Sequence, residues 1–112
     1  MSDFIEKLEV LNQNKSGIIK AVREIPTVGV SKTQAQNLRE YSVQTQSIVE
    51  ILLYIDYQMV RDRKLQDAGK RLMSLIEQYK NKIRDEEKLI ELTRYILGTF
   101  ARWVMIESKK GE

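Results

Sequence analysis

The sequence predicts an all-α fold: a compact single-domain bundle of four to five helices over residues 1–112. Three observations predict it. Only 5 glycines and 1 proline occur in 112 residues, too few for a turn-rich β fold. Apolar residues make up 42% and charged residues 31%, enough for one core and too hydrophobic for a disordered chain. Apolar side chains also recur at steps of three and four along most of the length.

Residues 1–24 read as an N-terminal helical region. Phe4, Ile5, Leu8 and Leu11, then Ile18, Ile19 and Val22, keep helical spacing. The turn-prone run Asn12–Gly17 predicts two short helices there, or one with a break. Ser2 suits the cap, with Asp3 and Glu6 near the positive end of the helix dipole. Pro26 disfavours helix at Ile25, so Ile25–Val30 is a connector, with Val28 and Val30 expected to tuck against the core.

Residues 31–62 read as the central helix around which the others pack. Ser31-Lys32-Thr33-Gln34 fits a capping box, with Val30 in the staple position before it. Ala35, Leu38, Tyr41, Thr45, Ile48, Leu52, Ile55 and Met59 make one stripe, and Val49, Ile51, Leu53 and Val60 widen it. Ser42–Ser47 is rich in weak helix formers, so the segment is one long helix or two joined near Ser42, with the weak point at 42–47. Residues 65–83 form the next helix, with Leu65, Ala68, Leu72, Leu75, Ile76, Tyr79 and Ile83 on one face. The last helix runs over 86–108, capped by Asp85. Leu89, Ile90, Thr93, Ile96, Leu97, Phe100, Val104 and Met105 point inward, and Lys109-Lys110-Gly111 closes it. Gly69 and Gly98, inside helices, imply close helix approach.

Composition removes several kinds of chemistry. With no cysteine and no histidine, there is no thiolate zinc site, no Cys–His or Ser–His nucleophile and no histidine pH switch. The glycines are scattered singly, so no phosphate loop forms. Glu87 and Glu91 could share a hard cation, but acidic residues at 85–91 suit a helix start better. Neither a cofactor nor a metal is expected, and an enzyme is not. The charged Met1–Glu6 and the absence of an apolar run near ~20 residues point to a cytoplasmic protein without a membrane partner.

The positive charge is local. The net charge is +3, yet residues 61–84 alone carry eight basic and three acidic side chains, a net +5. Arg61, Arg63, Lys64, Lys70 and Arg71, with Lys32, could meet several phosphates of a nucleic acid without reading its sequence. The same run fits a solvated helix face with Asp62 and Asp67 as local partners. The five tyrosines could stack on bases, although half-buried packing is their commoner use. Trp103 is read as core, with a partner anchor as the alternative.

The segments that carry these features resemble a known family. Ser31-Lys32-Thr33-Gln34-Ala35-Gln36-Asn37-Leu38 is similar to the T-T-S-Q-I-R-N-L helix start of the small subunit of type III-A (Csm) CRISPR–Cas effector complexes. Leu53-Tyr54-Ile55-Asp56-Tyr57-Gln58-Met59-Val60-Arg61 resembles that family's apolar-tyrosine segment ending in Gly-Arg. Ile96–Ile106, with Phe100 and Trp103, looks like its closing helix. The likeness covers about residues 25–108, departing at Gln36, where arginine is common, and at Val60, where glycine is expected.

The resemblance implies a non-catalytic all-α subunit acting in antiviral defence. Such subunits stack as copies of themselves beside the other subunits of the effector complex and line the groove for guide and target RNA. Arg61 is the nearest match to a family basic position, and Arg39 stands one turn beyond the missing arginine. Lys32, Arg63, Lys64, Lys70 and Arg71 join them from charge clustering, not from the family. A helical protein–protein adaptor, viral or archaeal, with no nucleic-acid role is the competing expectation.

Overall fold

A computed structural model describes the backbone of residues 2–110 and the side chains from Phe4 onward. The expected Ser2 cap, the Asp3 dipole contact and Gly111 therefore lie outside the described side chains. Five α-helices succeed one another: α1 (Ser2–Arg23), α2 (Lys32–Gln44), α3 (Ile48–Arg61), α4 (Gln66–Lys82) and α5 (Glu86–Lys110). A single turn of 3₁₀ helix, Arg63–Leu65, sits between α3 and α4. No strand occurs among the described residues, so the bundle is all-α.

The turn-prone run at 12–17 does not break α1, which is continuous. Asn14 donates through its side-chain amide to the Val10 carbonyl at 2.7 Å, a helix-compatible bond that keeps its polar group satisfied. Ile18 and Val22 are fully buried beyond it. Packing of this face against α5 outweighs the weak local propensity. Phe4, Ile5 and Leu8, although at helical spacing, stay exposed.

Ser31 caps α2 as expected. Its Oγ accepts from the Gln34 amide at 3.0 Å, and Gln34 Oε1 accepts from the Ser31 amide at 3.4 Å. The expected central helix is two helices, divided at 45–47 within the weak stretch. Ser47 starts the second by accepting from the Glu50 amide at 3.3 Å. Val30 packs half-buried against the core, whereas Val28 is exposed. Between them the chain turns at Gly29, with φ +82°, a backbone geometry that disfavours any side chain.

The helix at the centre is α5, not α3. It packs against α1, α2, α3 and α4. Leu89, Thr93, Ile96, Phe100 and Val104 make one buried stripe, and Ile90, Leu92, Leu97 and Ala101 make more of its surface internal. Met105, expected inside, faces outward. α3 buries only Ile48, Ile51, Ile55 and Met59, while Val49, Leu53, Tyr57 and Val60 remain in solvent. An apolar circumference suggests full burial, but neighbours cover one side only. Gly69 does let α4 approach closely: a Cβ there would collide with Met59 of α3. Gly98 does not serve that purpose, since a Cβ would meet only the Arg39 side chain, at 3.7 Å. Buried residues of all five helices form one cluster.

Candidate nucleic-acid interface

The candidate interface is built on the α3–α4 junction. Asp62 ends α3 and organises the turn after it. Its Oδ2 accepts from Gln34 Nε2 at 2.8 Å, tying the start of α2 to the end of α3. Its Oδ1 accepts from the Lys64 amide at 3.0 Å, holding the 3₁₀ turn. Leu65 is fully buried and anchors that turn from below. Arg61, Arg63 and Lys64 are therefore displayed on a fixed corner, next to the helix start that carries Lys32. The Lys64 side chain lies along Gly29 in the preceding connector.

The other expected basic residues stand apart from this corner. Lys70 and Arg71, in the first turns of α4, line a shallow groove of about 300 Å³ with Ala21, Glu24, Leu75 and Gln78. Arg39 lies on α2 over Gly98 of α5. The seven residues thus face more than one groove, and only Lys32, Arg61, Arg63 and Lys64 share the junction.

All seven are exposed. Among the described residues, the ion pairs are Lys7–Glu87, Lys88–Glu6, Arg94–Glu91 and Lys110–Glu107, and none includes any of the seven. Asp62, the expected local counter-charge, has both carboxylate oxygens on amide donors instead. No described carboxylate therefore forms an ion pair with the corner's cations, although the Asp62 charge lies in the same turn.

Tyrosines adjoin one side of it. The Arg61 guanidinium lies 5.6 Å from the Tyr57 ring centre. Tyr41 and Tyr54 pack edge to face, with centroids 4.2 Å apart. With Glu50, Leu53, Gln58 and Arg61 the three tyrosines line an open groove of about 650 Å³. Tyr79, by contrast, is buried, and desolvation raises its hydroxyl above the ordinary value of 10.0.

Two features escape a reading of the sequence. Arg94 donates through Nε to the Ser42 carbonyl at 2.9 Å and through Nη2 to the Thr45 carbonyl at 3.2 Å, completing the end of α2 from α5. The second is the surroundings of Trp103, which is half-buried: it packs on the core, donates to the Ile25 carbonyl at 3.4 Å, and lines an outer groove. Its neighbours Tyr95, Arg102, Ile106 and Lys110 recur at helical spacing, and that is the available signal.

No group of three or more carboxylates placed to hold a metal occurs among the described residues, and no described helix is long and apolar enough to cross a membrane. No family model, no curated protein and no solved structure matches the chain.

Proposed function

We propose that the protein is a non-catalytic, RNA-contacting subunit of a type III CRISPR-like effector complex. Its α3–α4 corner meets the sugar-phosphate backbone of the guide or target strand, alongside further copies of itself and the other subunits. One observation carries this reading: Arg61, Arg63 and Lys64 stand exposed on a corner braced by Asp62, and no described carboxylate pairs with them. Fixed, unpaired cations suit phosphates, which they can neutralise without reading base identity. The adjoining tyrosine groove adds faces on which bases can stack.

Fluorescence anisotropy with labelled single-stranded RNA over about 50–300 mM salt tests it. Contact with some three to five phosphates gives a log–log slope of about −2 to −3.5. Arg61→Ala with Arg63→Ala should flatten that slope by about 1 or more. A slope unchanged by the pair removes the corner from the interface.

One observation favours a helical adaptor instead. Val49, Leu53, Tyr57 and Val60 form an exposed apolar stripe along α3, with Val60 81% exposed. On that reading the stripe is a protein interface. RNA affinity that is weak and insensitive to salt, together with loss of partner capture on Leu53→Glu, would favour it.

A further inference from the structure

The groove between α1 and α5 matches neither the RNA corner nor the α3 stripe. Its floor is apolar: Ile19 from α1, with Tyr95, Trp103 and Ile106 from α5, enclosing about 350 Å³. Ile19 and Ile106 remain exposed. Its edge is cationic. Arg23 lies 5.5 Å and Lys110 5.7 Å from the Trp103 ring centre, Lys15 lies 5.6 Å from the Tyr95 ring, and Arg102 lines the same groove. Of these four, only Lys110 has a carboxylate partner among the described residues, Glu107 at 3.9 Å.

The way Trp103 is held argues against a nucleobase. Two cations already lie over its ring, and its indole N–H is directed inward to the Ile25 carbonyl. What the groove offers outward is guanidinium and ammonium donors around an apolar strip. Tyr95 and Lys110 are fifteen positions apart on α5, about 22 Å at 1.5 Å per residue. That is the length of a helix of four turns.

We propose that this groove binds an acidic amphipathic helical segment of a partner protein, its apolar face on Ile19, Trp103 and Ile106 and its carboxylates on Arg23, Arg102 and Lys110. The groove shares no residue with the α3–α4 corner, so the proposal does not rest on the RNA reading.

Trp103 is the only tryptophan in the chain, so its emission reports on the groove directly. The probe is a synthetic peptide of about 18 residues with leucine at heptad a and d positions and glutamate elsewhere, titrated into the full chain. The expected result is a saturable change in Trp103 emission. A peptide with glutamine for every glutamate should bind roughly tenfold or more weakly, and so should Arg23→Gln with Arg102→Gln against the acidic peptide. Both arginines are exposed, and circular dichroism checks that the variant folds. RNA affinity should be unchanged in that variant, which separates this site from the α3–α4 corner. Equal binding of the acidic and neutral peptides overturns the proposal. So does the absence of a saturable emission change, or displacement of the acidic peptide by single-stranded RNA in a manner that requires Arg23 and Arg102.

Discussion

Two glycines illustrate how a single side chain's surroundings decide its effect. A Cβ at Gly98 meets ordinary van der Waals contact with Arg39. Gly98→Ala should therefore stabilise the protein by about 0.5–1 kcal/mol through helix propensity alone. A Cβ at Gly69 displaces the buried Met59, so Gly69→Ala should destabilise by about 1–3 kcal/mol despite the same gain in propensity. Urea denaturation of the two variants checks the opposite signs. Tyr79 adds a pH dependence. Its hydroxyl titrates higher in the folded protein than in the unfolded chain, where it is neutral up to about 10. Its contribution is fully present below the unfolded value and is lost as pH climbs toward the folded one. Stability should fall above about pH 10, and Tyr79→Phe should lessen that fall in melts recorded across this range. The Ser31 cap is legible in the sequence because its partner is three residues away. The Arg94 bonds are not, because Ser42 and Thr45 lie 52 and 49 residues distant. Arg94→Lys removes the two-carbonyl geometry and should cost about 1–3 kcal/mol.

At the scale of whole elements, periodicity locates all the helices but misjudges their rank. α3 has the most apolar circumference, and α5 reads as one face among several. The structure reverses this because burial depends on how many neighbours pack on a helix, and α5 has four. Apolar content shows what a helix could bury; only packing shows which sides are covered. α1 teaches the converse. Asn12–Gly17 reads as a break, and the Ile18–Val22 anchor against α5 carries the helix through it. The first two turns lack that anchor, with Phe4, Ile5 and Leu8 exposed. Backbone amides of residues 5–10 should exchange with deuterium markedly faster than those of residues 17–22.

Across the whole molecule, the local charge excess at 61–84 is plain in the sequence, but its division among surfaces is not. Helical phase sends Lys70 and Arg71 toward α1, while the 3₁₀ turn keeps Arg63 and Lys64 beside Arg61. Asp62 braces the corner through two amide donors, a scaffolding role that the sequence reading, which offered it as a local charge partner, did not include. Asp62→Asn keeps one of the two acceptors and should weaken RNA binding less than Asp62→Ala, which removes both and should loosen the corner.

The most direct test of the proposal that the corner contacts RNA is hydrogen–deuterium exchange of the full chain with and without saturating single-stranded RNA at low salt. Slowed exchange should centre on residues 60–66 and the adjoining start of α2. Protection absent from those residues while RNA is demonstrably bound, or confined to α1 and α5, would contradict the account.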